Sequence, residues 1–137
     1  MFRRTSIAVV CLLASLAAAT AQVTIHRKAS AKPGQEIRIG VFANLRADCT
    51  AGPLPTISLS KAPSNGNVRV SLTKVRLTNH KNCLAIEVPG YVATYKSKDG
   101  FAGEDRVELD LKSADGKMLR RHGVTINVGQ DAAGASI

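Results

Sequence analysis

The chain has no tryptophan, and only three phenylalanines and two tyrosines among its 137 residues. That leaves no aromatic platform for stacking single-stranded nucleic acid, so a nucleic-acid partner is not expected. Helical periodicity is missing too: beyond residue 21 no sustained stretch repeats its apolar positions at 3.6-residue spacing. No G-x-S-x-G elbow, H-E-x-x-H pair or P-loop occurs, so an enzyme is not expected and no cofactor is implied. Apolar runs are short everywhere except at the N-terminus, so no transmembrane segment is expected after it. Cysteine is scarce. Cys11, Cys49 and Cys83 form neither a C-x-x-C redox pair nor a zinc-like pattern with histidine.

What is present begins with a leader. Arg3 and Arg4 precede the apolar run Ile7 to Leu16, and Ala19-Thr20-Ala21 form a small-residue cleavage pattern before Gln22. Residues 1–21 therefore read as a signal peptide, and the rest as a protein exported to the periplasm or beyond. Cys11 lies inside the apolar run after Val9-Val10, which is not the context of a lipoprotein site. Cys49 and Cys83 then remain as an even pair in an oxidising compartment, 34 positions apart. They read as a structural disulfide worth roughly 3–4 kcal/mol in the chain-entropy model. Losing Arg3 and Arg4 lowers the net charge from +9 to +7, still strongly basic. A basic exported protein favours anionic partners such as lipopolysaccharide, phospholipid head groups or acidic polymers. Most basic residues are scattered, as on any solvated surface; the clusters are Arg120-Arg121 and the looser set Lys74, Arg76 and Lys81. These five are the candidate anionic-surface contacts.

The remainder, residues 22–129, reads as one all-β domain, with a tail at 130–137 that has no apolar periodicity. Alternation predicts strands over Val23–His26, Glu36–Phe42, Thr56–Ser60, Asn67–Leu72, Cys83–Val88, Tyr91–Tyr95, Arg106–Lys112 and Met118–Val128. In the second, Ile37, Ile39 and Val41 share the inner face. Asn65-Gly66 predicts a two-residue hairpin turn between the third and fourth. Val75 and Leu77 fall out of step with Val68, Val70 and Leu72, which predicts a β-bulge or a strand end near Thr73-Lys74. Pro89-Gly90 divides the next two. Val107, Leu109 and Leu111 form the cleanest inner face. About seven short strands with turn signals between them predict an antiparallel β-sandwich.

The segment Asp99–Asp105, DGFAGED, permits two readings. Asp99, Glu104 and Asp105 could converge on a calcium ion, although three acids are few for its six to eight oxygen ligands and Lys96 and Lys98 stand beside them. The favoured reading holds no metal. Gly100 and Gly103 set the turn, Phe101 closes one end of the core, and Asp105 accepts backbone N–H bonds that fix the corner. His26, His80 and His122 are the remaining groups from which a hydrolytic site could be assembled in space.

Pro63 with Gly66, Tyr95, the corner Gly100-Phe101-Ala102-Gly103-Glu104-Asp105, Asp115-Gly116 and Val124-Thr125-Ile126-Asn127-Val128 occur in a characteristic order. Together they resemble the immunoglobulin-like and cadherin-like repeats of exported bacterial proteins. The similarity spans residues 62–128, about half the chain. The chain departs from the family in having Ser97 where a proline is usual, and Val107 and Leu109 where aromatics are usual. The cysteines are not general to the family, though the surroundings of Cys49 look like those in small single-domain exported members. The resemblance implies an immunoglobulin-like sandwich and a non-enzymatic binding or structural role in the cell envelope, with a protein or an anionic envelope polymer as partner. The alternative is a periplasmic inhibitor or accessory subunit of an envelope enzyme, presenting the loop closed by the Cys49–Cys83 bridge.

Overall fold

The computed structural model describes residues 23–78 and 82–129. The leader expected at 1–21, His80 and Lys81, and the tail expected at 130–137 lie outside the described residues. Seven strands are present among those described: β1 (Thr24–Ala31), β2 (Glu36–Phe42), β3 (Thr56–Lys61), β4 (Gly66–Leu77), β5 (Ile86–Ser97), β6 (Gly103–Lys112) and β7 (Met118–Val128). They form two sheets, one in the order β1-β7-β6-β3 and the other in the order β2-β5-β4.

The two inner faces meet in one core. Val107, Leu109 and Leu111 of β6 lie against Val124, Ile126 and Val128 of β7, and face Ile39, Phe42, Ala93 and Tyr95 of the other sheet. Strict alternation on β6 places its three apolar side chains inward, and each buried side chain of this size contributes roughly 1.5–3 kcal/mol. Ser97 accepts a hydrogen bond from the Gly34 N–H at 2.9 Å and so ties the β1–β2 turn to β5.

Six local expectations are corrected. The sandwich is not wholly antiparallel, because β1 runs parallel to β7 along its full length. β1 also extends well beyond His26. Asn65-Gly66 does not close a hairpin: β3 pairs with β6 and β4 pairs with β5, so this segment crosses between sheets. Gly66 keeps a negative-φ strand conformation and is needed for space instead, since a Cβ there would stand 2.6 Å from the Lys96 carbonyl oxygen and from the Tyr95 ring. On β2 a register shift between Arg38 and Gly40 changes the phase, so Phe42 rather than Val41 is buried. β5 is one strand through Pro89-Gly90. Pro89 lies past the last β2 pair, Phe42 with Tyr91, where the strand has a free side and a missing N–H is tolerated.

The sixth correction explains the phase break on β4. No bulge occurs, and β4 pairs with β5 without interruption from Gly66 to Leu77. The apolar side changes because the packing partner changes. Val68 faces the main core, whereas Val75 and Val88, paired across the hairpin, are buried on the opposite face. With Leu45 and Cys83 they are the buried apolar residues that stand apart from the main core. This outer end is held by the Cys49–Cys83 disulfide, Cα–Cα 5.7 Å, which joins the 43–55 loop to the turn region before β5. Leu45 and Ala51 pair within that loop, and the Cys49 N–H donates to the Arg46 carbonyl.

The bridge closes a 34-residue separation. Replacing both cysteines by serine is expected to cost roughly 3–4 kcal/mol. Denaturant unfolding measures the loss. Thiol titration of the unreduced protein starting at Gln22 is expected to find no free thiol, and two reactive thiols would contradict the bridge.

Candidate functional site

Two of the places where the described residues bury polar groups lie toward opposite ends of β6 and β7. At the first, Asp105 on β6 is buried beside Tyr95 on β5. The Tyr95 hydroxyl donates to one carboxylate oxygen at 2.8 Å, and the N–H groups of Ser64 and Asn65 donate at 2.9 and 3.0 Å. The Arg106 N–H supplies a fourth bond. Burial pushes the Asp105 pKa up, but these four donors outweigh it and hold the carboxyl below the usual range. Burial and the carboxylate together push the Tyr95 phenol well above its ordinary value. Gly100 (φ 77°) and Gly103 (φ 141°) occupy the positive-φ positions that make the corner, and Phe101 packs half-buried on the core.

The three acids named for the alternative calcium reading are turned apart. Asp105 points inward to its four donors, Glu104 pairs outward with Arg106 at 3.0 Å, and Asp99 is exposed beside Gly34. The three carboxylates do not converge. No group of three metal-ligating side chains occurs among the described residues.

The second place is a cleft of about 400 Å³ at the seam where β1 and β2, the adjacent edges of the two sheets, approach β7. Arg27, Arg38, Arg120 and His122 line it, above Ile39 and Phe42. Arg27 shares its face with Ile25, Ala29 and Ala31, because its register partner is the buried Val124. Arg120 shares its face with His122, Val124, Ile126 and Val128. Both arginines therefore occupy core-facing positions, at an end where the core is open and their heads reach water. Arg38 comes from β2, just before its register shift. Among the described residues none of the three forms an ion pair.

His122 is buried at the floor. Its Nε2 lies 3.2 Å from the Ile39 carbonyl oxygen, which can only accept, so Nε2 carries the proton. Its ring meets Phe42 edge-on at 5.3 Å. Burial, with smaller contributions from Arg27 and Arg120, pushes its pKa below the ordinary value despite the bond to Ile39, and the ring is neutral at pH 7.

The expected basic contacts do not form one surface. Arg76 on β4 pairs with Glu87 at 3.5 Å, and Lys74 is exposed nearby, away from β7. Arg121, the neighbour of Arg120, points to the other face of β7. It donates to both Asp110 oxygens at 2.7 and 3.0 Å and lies 3.9 Å from Glu108. The hydrogen bonds from Arg121 are the main reason that the Asp110 carboxyl lies below its usual range. Arg121 is thus a partly exposed charge matched by carboxylates, while Arg120 joins Arg27 and Arg38, which the clusters did not reveal. An arginine in phase with inward apolar residues, as Arg27 is with Ile25 and Ala29, was the signal available.

No known family pattern matches this chain, and no curated protein matches it. Among solved structures, the solution structure of amebosin is similar at 9% identity with a TM-score of 0.48, over 79% of this chain and 98% of that one.

Two outcomes are expected from the buried polar groups. Asp105→Ala strands the Ser64 and Asn65 N–H groups and the Tyr95 hydroxyl, and should cost roughly 3 kcal/mol or more; Tyr95→Phe should cost less, about 1–2 kcal/mol, since it removes one bond. Denaturant titration of both variants compares them. For His122 the folded pKa is lowered, so the unfolded chain binds the proton more readily. Stability should therefore fall as pH drops below the ordinary value near ~6.5, until the folded site also protonates. Thermal midpoints at pH 7 and 5 should show this, and His122→Gln should flatten the slope.

Proposed function

We propose that this chain is an exported, non-enzymatic immunoglobulin-like module of the bacterial cell envelope, related to cadherin-like domains, that binds an anionic envelope polymer through its basic end. The observation that carries this reading is the cleft at the seam, where three arginines from three strands stand without an ion-paired carboxylate. Several features support it. The order β1-β7-β6-β3 against β2-β5-β4 fits an immunoglobulin-like sandwich whose first strand has joined the sheet of its last. A disulfide suits an oxidising compartment. No helix among the described residues is long and apolar enough to cross a membrane. His122 is neutral and bonded to the backbone, and serves as a floor rather than as a base.

A second reading, as an inhibitor or accessory subunit of an envelope enzyme, is favoured by the opposite end of the β4–β5 hairpin. Leu84, 77% exposed, follows the buried, disulfide-bonded Cys83 and presents an apolar tip on a fixed base.

The protein starting at Gln22, immobilised and exposed to envelope extract, distinguishes the readings. Heterogeneous acidic polymer released by salt is the expected outcome. One stoichiometric protein would instead favour the second reading, and recovery of neither would sink both.

A further inference from the structure

We propose that the cleft between β1, β2 and β7 is a phosphate-binding site, with Arg27, Arg38 and Arg120 as the ligands of the phosphoryl oxygens. This rests on the envelope-binding reading and specifies its site and the chemical group bound.

Three observations converge on it. The first is register. Arg27 and Arg120 take positions on β1 and β7 that are otherwise filled by apolar or buried residues, Ile25, Ala29 and Ala31 on one strand and His122, Val124 and Ile126 on the other. An apolar side chain at either position would extend the core; arginine there instead holds the sheets' end open and wet. The second is charge. Three guanidinium groups surround one cleft, and none is ion-paired among the described residues, whereas the neighbouring Arg121 is matched to Asp110 and Glu108 and Arg106 to Glu104. Like charges gathered in one concavity repel one another, and a monoanionic carboxylate would neutralise only one of them. A phosphomonoester brings close to two negative charges and three acceptor oxygens, which suits several arginine forks at once. The third is shape. About 400 Å³ lies within the size range of small-molecule sites and exceeds what a bare phosphate fills. The remaining room lies over Ile25, Ile39 and Phe42, so the bound group carries a compact organic body on its phosphate.

His122 fixes the floor. Its proton is committed to the Ile39 carbonyl, and its ring packs on Phe42, so it shapes the cleft and adds no charge at neutral pH.

The phosphate could belong to a lipid head group or to a soluble molecule, and two probes distinguish them. Titration of inorganic phosphate into isotope-labelled protein, at constant ionic strength with chloride as control, should shift the Nε–H resonances of Arg27, Arg38 and Arg120 and the amide of His122. The triple variant R27Q/R38Q/R120Q should bind phosphate at least tenfold more weakly. The control K74Q/R76Q, which changes basic residues outside the cleft, should bind as the parent does. Vesicles of phosphatidic acid, a phosphomonoester lipid, in phosphatidylcholine, compared with phosphatidylcholine alone, form the second arm. Tenfold weaker vesicle binding by the triple variant assigns the phosphate to a lipid. A response to inorganic phosphate without vesicle binding assigns it to a soluble group. Either result supports the site.

The site is overturned if the triple variant retains parental affinity, if the control variant loses as much, if the shifts map elsewhere, or if neither probe binds. A coincident thermal melt shows that the triple variant is folded. Envelope polymer still retained by the triple variant would overturn the cleft and leave the envelope-binding reading standing. Phosphate bound in the cleft by a protein that retains no polymer would do the reverse.

Discussion

The Asp105 carboxylate is the constraint on which the sandwich turns. It stands on β6 in one sheet, accepts a hydrogen bond from the Tyr95 hydroxyl on β5 in the other, and accepts two N–H bonds from Ser64 and Asn65 in the segment that crosses between them. Hydrophobic burial draws two sheets together but is non-directional and allows them to slide. A buried charge with four donors does not allow sliding, because each lost bond leaves a desolvated group. The same arrangement explains Gly66, whose missing side chain leaves room for the Tyr95 ring against the incoming strand.

From this fixed corner the molecule becomes progressively more open. Near Asp105 the core is closed by Tyr95 and the half-buried Phe101. Toward the other ends of β6 and β7 the sheets separate around Arg27, Arg120 and the neutral His122. Outside the main core, the β4–β5 hairpin runs on past β2 and is held by a separate apolar cluster and the Cys49–Cys83 bridge. Polar groups at the closed corner are spent on one another, whereas the arginines at the open end keep free donors. That asymmetry sets the seam apart from DGFAGED.

Much of this was legible in the sequence where an element answers to one partner. β6 alternates cleanly because a single core faces it throughout. The cysteine pair was legible from count and compartment alone. The corner followed from its glycines and from an aspartate placed to accept backbone bonds. Legibility failed where a strand answers to two environments. β4 changes its packing face between Val68 and Val75 with its pairing intact, and one-dimensional alternation cannot distinguish that from a bulge. On β2 the opposite happened: a real register shift was hidden because both Val41 and Phe42 are apolar. Asn65-Gly66 carried the strongest local turn signal and was overridden, since β3 and β4 find their partners in different sheets.

The sequence by itself determined the all-β character, the inner face of β6 and the disulfide, because alternation, turn residues and cysteine count act locally. Only the tertiary structure decided that β1 lies parallel on β7 and that Arg27, Arg38 and Arg120 share one cleft. They are separated along the chain by up to ninety-three positions. Side-chain charge carries no information about which distant strand becomes its neighbour; that is decided by how two sheets stack and which of their edges meet.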